Sequence, residues 1–363
     1  MTNTIEQAKT LLSPPGDTIQ ETIDMMGMSQ AELAERMGRP KEKINEIIKG
    51  KEPISTATAF KLENVLGIPA SFWLNRENEY REQIYQLEQE AFFEECLDWL
   101  KSFPLREMCK FGWLPATRNK QELVEPILKF FGVATPGEWQ RIYMHEEIAV
   151  SFRISLANTK NPFAISAWLR MGELQTKKLD LKKYDKKKFK DSLNEIKNLA
   201  FTMPSNFQNR LQEICADCGV ALVYTPNLPK APISGAARWF HNSPIIQLSG
   251  RFKTDDHFWF TFFHEAGHIL LHGKKDVFLE NLEGAEIDDI KEEEANNFAS
   301  KQLLSQTQLN EITASTPLND EKVNQFSKAF KVSSSVIIGR LQHIKFIDFS
   351  AGNHLKQKID LFN

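Results

Sequence analysis

The chain has 363 residues, which at ~150 residues per domain predicts two or three domains. With 41% hydrophobic and 26% charged residues, it excludes wholesale disorder, collagen-like repeats and a disulfide-stapled miniprotein. The net charge of −3 gives no whole-protein case for nucleic acid, so any such case must be local.

No apolar run reaches the ~18 residues of a membrane-spanning helix, because Phe258–Phe263 is cut at once by His264 and Glu265. The opening residues, Met1 to Glu6, lack the basic and apolar regions of a secretory signal. Four cysteines make no disulfide framework, so a cytoplasmic, reducing setting and no membrane partner are expected.

Residues 1–85 read as a five-helix domain. Asp17 or Thr18 is expected to cap a helix that ends near Gly27. Ser29 and Glu32 form a capping-box pattern ahead of a helix to Met37, stopped by Gly38. Pro40 opens a helix with Ile44, Ile47 and Ile48 on one face, ended by Gly50. Ser55 caps a fourth helix to Leu66, and Pro69 starts a fifth, rich in aromatics. Residues 86–200 stay mostly helical and read as a linker or sensor region. Its eight lysines against two aspartates between Lys177 and Lys190 read as a solvated surface.

Residues 201–305 change character. Val220–Tyr224 reads as a strand, and Gly235–Phe240 and Ile245–Leu248 as a strand pair turned by residues 241–244. Helices are expected over 255–272 and 290–304, and residues 306–363 read as helices packing on this domain. The fold class is therefore α+β, mostly helical, with a small sheet.

The sharpest chemistry is His264-Glu265-Ala266-Gly267-His268, an H-E-x-x-H pattern. On a helix, positions i and i+4 share a face, so His264 and His268 can ligate one metal. Glu265 between them can serve as general base. The third ligand should be an acid on the following helix, where Glu292, Glu293 and Glu294 are available. The register Glu-x-x-Ala followed by Asp or Asn, typical of zincins with a glutamate third ligand, selects Glu292 and leaves Glu294 as fallback. Asn296, one turn on, is placed to orient a ligating histidine. His272 and Arg238 are candidate substrate or oxyanion contacts, with Arg238 on an expected edge strand open to an extended peptide. Cys215 and Cys218 have no second pair and read as idle thiols.

The second signal is helical. The pair at about 29–37 and 40–49, joined by a tight turn, has the helix-turn-helix arrangement. From Arg36 to Lys51 six basic residues face two acids, whereas residues 1–80 as a whole hold nine basic and twelve acidic residues. Lys41, Lys43 and Asn45 sit where a recognition helix meets bases. Gln30, Arg39, Lys49 and Lys51 complete the candidate DNA contacts, with Gln30 and the two lysines suited to phosphate. So small a reading head is expected to work as a homodimer on double-stranded operator DNA, and Phe72-Trp73-Leu74 is a candidate dimer surface.

These residues carry two resemblances. Residues from Pro15 to Leu74, with Met28–Ala34, Ile44–Lys51 and Ala70–Leu74 at their centre, look like Xre-type antitoxin-repressors of the HigA kind. Ile233–Trp239, Phe258–His272 and Glu292–Leu304 resemble the ImmA/IrrE metallopeptidases. The second resemblance implies a gluzincin-like site with one Zn2+ per chain. It also implies cleavage of a repressor-type protein, in this chain or a partner, that controls phage, mobile-element or stress genes. Leu303-Leu304-Ser305-Gln306 departs from that family's Leu-Leu-Met-Pro ending, outside the ligands. The alternative is a non-catalytic antitoxin or repressor whose zincin-like domain senses metal or binds a partner such as a toxin.

Overall fold

The computed structural model describes residues 11–144, 161–240, 242–273, 278–279 and 289–362. His241, part of the expected turn, lies outside them. The chain forms two compact units, residues 1–98 and 99–363. The first boundary falls beyond the expected position near 85, because the helix that opens after Pro69 runs on without a break for 31 residues.

The first unit holds helices α1 (Pro15–Met25), α2 (Gln30–Met37), α3 (Lys41–Ile48), α4 (Thr56–Leu66) and the start of α5 (Ala70–Leu100). Helix α1 begins at Pro15, two residues before the expected cap, since proline at the first position sacrifices only an N–H that has no helical partner. Ser29 accepts from Glu32 N, but the reciprocal half of the capping box is missing, because the Glu32 carboxylate binds Arg36 instead. Ser55 caps α4 through Thr58 N. The apolar faces of all five helices meet in one core of Ile19, Ile23, Leu33, Ile44, Ile47, Leu62 and Trp73. Trp73 is fully buried there, so of the expected dimer surface it belongs to the core, while Phe72 is exposed.

The second unit adds helices α6 (Leu105–Lys110), α7 (Val124–Phe131), α8 (Pro136–Met144), α9 (Pro162–Thr176), α10 (Lys186–Thr202) and α11 (Phe207–Asp217). Three strands follow: β1 (Ala221–Tyr224), β2 (Gly235–Phe240) and β3 (Ser243–Leu248). Then come α12 (Asp255–Leu271), β4 (Phe278–Leu279), α13 (Asp289–Leu303), α14 (Gln306–Ala314), α15 (Asp320–Phe330) and α16 (Ser334–His343). The strand order is β1-β3-β2-β4. β3 runs parallel to β1 and antiparallel to β2, and Ser243 and Pro244, expected in the turn, already belong to it. β2 is not an edge along its first half, where β4 pairs with Ala236 and Ala237.

Strand alternation divides the sheet between two neighbours. Leu222, Ala237, Ile246 and Leu248 join the core built on α12, through Phe258, Trp259, Phe262 and Phe263. The opposite face carries Arg238 and Gln247 and is covered by α9, whose Trp168 donates to Thr225 O and whose Gln175 donates to Tyr224 O. Gln247 returns a hydrogen bond to Trp168 O. The C-terminal helices contribute Leu309, Val323, Ile337 and Leu341 to the α12 core. Among the described residues no helix is long and apolar enough to cross a membrane.

Candidate metal centre and DNA-reading helix

Helix α12 is buried along most of its length, and it carries His264, Glu265 and His268 into the interior at 1%, 0% and 1% exposure. Helix α13 crosses it closely because the crossing point is built from small residues. A Cβ added at Gly267 would stand 3.1 Å from Phe298 Cδ1 and 3.4 Å from Ala295 Cα. Ala295 is itself fully buried, and the close crossing brings Glu292, one turn earlier, over the histidine pair.

The structure brings His264, His268 and Glu292 together, with one ligand atom of each within 4.8 Å of the others. His264 Nε2 and His268 Nε2 lie 2.9 Å apart. The Glu292 oxygens lie 3.2 Å from His264 Nε2 and 3.4 Å from His268 Nε2. Glu293 is absent from this group, and Glu294, the fallback acid, is engaged elsewhere.

The hydrogen bonds behind the histidines fix their tautomers. The Asn296 amide oxygen lies 3.0 Å from His264 Nδ1. That nitrogen therefore donates, and His264 Nε2 presents a lone pair. On the other side, Glu294 lies 3.0 Å from His272 Nε2, and His272 Nδ1 lies 3.0 Å from His268 Nδ1. The Glu294 carboxylate accepts from His272 Nε2–H, so His272 Nδ1 accepts from His268 Nδ1–H and leaves a lone pair on His268 Nε2. Two lone pairs then face one another beside an anionic carboxylate. They repel unless a cation lies among them, and a two-imidazole, one-carboxylate set is a donor set that fits a divalent metal.

Burial pushes the His268 pKa down to about 4, further than the Glu292 carboxylate raises it. Burial pushes the Glu292 pKa up, but its hydrogen bonds to His264 and His268 outweigh this and hold it at about 2. Glu265 lies against β2, where Gly235 makes room: an added Cβ would come within 2.5 Å of Glu265 Oε1.

Two expected contacts stand elsewhere. Arg238 faces away from α12, because Gly235 and Ala237 take the α12 side and strand alternation sends position 238 to the α9 side. Its guanidinium is buried, 3.0 Å from Glu173 Oε1, and donates to Leu169 O. It is a structural cation rather than a substrate or oxyanion contact. His272 stands behind His268 as its hydrogen-bond partner, with its side chain 3% exposed, and not in a substrate position. Its spacing of four from His268 was the only sequence signal for this arrangement. All four cysteines are free thiols.

In the first unit, residues 38–40 separate α2 from α3, the short turn of a helix-turn-helix. Lys41, Lys43, Lys49 and Lys51 are exposed, while Gln30, Arg39 and Asn45 are half-buried. Gln30 donates to Gln20. Glu52, which carried no signal in the sequence, lies 3.0 Å from Lys43 and 3.3 Å from Arg39. Lys43 also binds Glu46 at 2.8 Å. Two of the candidate DNA-binding cations therefore already hold carboxylates.

Fold and site together define a helix-turn-helix regulator joined to a domain of a metallopeptidase family. The Helix-turn-helix family model matches residues 19–73, and the peptidase family model described as the IrrE N-terminal-like domain matches residues 215–342. The uncharacterized HTH-type transcriptional regulator YddM of Escherichia coli (strain K12) is 34% identical over 64 residues, which are 18% of this chain and 68% of that protein. The chain belongs to the Xre-like helix-turn-helix family through its N-terminal domain, and its residues 215–342 match the model of the IrrE N-terminal-like domain.

Proposed function

We propose that the chain is a cytoplasmic DNA-binding regulator whose second unit is a zinc-dependent endopeptidase acting on a repressor-type protein, either this chain or a partner. The observation that carries this is the convergence of His264 Nε2, His268 Nε2 and Glu292 on one point, with Glu265 between the histidines on the same helix. His264, His268 and Glu292 would hold one Zn2+ per chain. When bound, zinc polarises a peptide carbonyl and lowers the pKa of water to ~7. Glu265 accepts the proton of the attacking water and delivers it to the departing amine. Asn296 and His272 hold the two imidazoles in the tautomers that point Nε2 inward.

The test compares new protein N-termini by mass spectrometry in cells carrying wild type or Glu265→Gln. The variant keeps its metal and loses every specific cut. Cuts that persist in the variant would remove Glu265 from the chemistry.

The complete burial of Glu265 favours a second reading, a non-catalytic repressor or antitoxin whose zincin-like domain senses metal or binds a partner. On that reading wild type and Glu265→Gln give the same N-termini, while His264→Ala still alters regulation.

The first unit reads operator DNA as a homodimer, with α3 toward the major groove. Lys43→Ala combined with Asn45→Ala weakens binding to the gene's own upstream DNA by about tenfold or more at physiological salt, since one good base contact is worth ~1–3 kcal/mol. Fluorescence anisotropy measures this, and an unchanged affinity would sink the assignment of α3 as the reading helix.

A further inference from the structure

A cavity separate from the histidine pair lies in the same unit. It has a volume of about 750 Å3 and opens between the first turns of α12, the end of α13, helix α16 and the segment around 349–356. Its walls are largely apolar, through Phe252, Phe260, Leu303, Leu304, Val336 and Phe349. Its charged lining is unbalanced. Lys253, Arg340 and Lys356 face a single carboxylate, Asp256, which already binds Lys356 at 2.6 Å. Lys356 is further held by Gln342 at 2.8 Å.

Arg340 is the unmatched group. Its guanidinium is half-buried and donates to Ser300 Oγ at 3.0 Å, yet no described carboxylate lies within ion-pair distance. A desolvated arginine without a counterion is costly, and an anion in the cavity removes that cost. His257 and His343 at the same cavity add donors and no fixed negative charge.

We propose that this cavity is a binding site for a small organic anion with an apolar body, its anionic group held by Arg340 and its body against the phenylalanine and leucine walls.

Such an occupant touches both helices of the histidine–glutamate centre. Phe260, in the cavity wall, lies one turn before His264 with its ring 6.3 Å from the imidazole and inclined at 30° to it. Ser300, the residue that Arg340 binds, lies on the same helix as Glu292 and Asn296. The site is therefore placed to let a metabolite-sized signal act on the packing of α12 against α13. It stands on the cavity alone and does not depend on peptidase activity.

The probe is 8-anilinonaphthalene-1-sulfonate, titrated by calorimetry into the full chain. One site per chain is expected. Arg340→Met weakens it tenfold or more, while the neutral N-phenyl-1-naphthylamine binds both forms within twofold. Val336→Trp fills the cavity and abolishes binding of both probes. Decanoate displaces the sulfonate from wild type and 1-decanol does so at least tenfold less well, a comparison that needs no variant. Binding of the sulfonate within twofold of wild type in folded Arg340→Met, its survival in folded Val336→Trp, or equal displacement by decanoate and 1-decanol overturns the proposal.

Discussion

Replacing His268 by alanine is expected to abolish tight binding of a divalent metal by the His264–His268–Glu292 group. Three donors converge on one point, and two of them are imidazoles whose Nε2 lone pairs lie 2.9 Å apart. Loss of one leaves an incomplete set, and affinity for Zn2+ in competition with a chromophoric chelator should fall by roughly a thousandfold or more. Asn296→Ala and His272→Ala remove only the hydrogen bonds behind the ligands, and each should cost about 10- to 100-fold. This graded order separates a metal centre from a polar cluster that holds two helices together. A cluster of that kind would show no metal affinity for any variant to reduce. Stoichiometric metal retained by His268→Ala at wild-type affinity would dismiss the ligand assignment.

The largest loss of folding stability is expected at Arg238. It and Glu173 are each 2% exposed in their side chains and lie 3.0 Å apart. Removal of one partner leaves the other as a buried charge, which costs about 3–5 kcal/mol. Arg170 lies 2.8 Å from the other Glu173 oxygen and offsets part of this, so the lower end is expected for Arg238→Met. Burial pushes the Arg238 pKa down, further than Glu173 holds it up, so desolvation outweighs attraction at this guanidinium. The double variant Arg238→Met, Glu173→Leu should recover only part of the loss, because it removes the stranded carboxylate but leaves Arg170 without its partner. Urea unfolding of the full chain measures both. A single-variant loss under 1 kcal/mol would mean that the pair is not the keystone of the α9–sheet contact.

The histidine centre was legible because its determinants are local. His264 and His268 are four residues apart on one helix, and the Glu292–Asn296 register repeats that spacing on the next. Even the alanine of the register has a physical reason, since Ala295 is packed against Gly267. What escaped was long-range or depended on parity. Arg238 was read as facing the site, but a shift of one position along β2 exchanges the two faces of the sheet, and its partner Glu173 lies 65 residues away. β4, which pairs with Ala236 and Ala237, is two residues long and too short to show a pattern. The helix-turn-helix pair was visible in its caps and apolar spacing. The neutralising role of Glu52 was not, because it reaches Lys43 and Arg39 across a turn.

The seam between α9 and the sheet also limits where this polypeptide can be cut and remain useful. Glu173, Trp168 and Gln175 reach Arg238, Thr225 and Tyr224 from a helix that starts at Pro162. A fragment starting at residue 201, where the composition changes, would lose that cover and expose the sheet face that carries Arg238 and Gln247. Any self-scission that frees the DNA-binding head and leaves the rest folded must therefore fall upstream of Pro162, on the head's side of the seam.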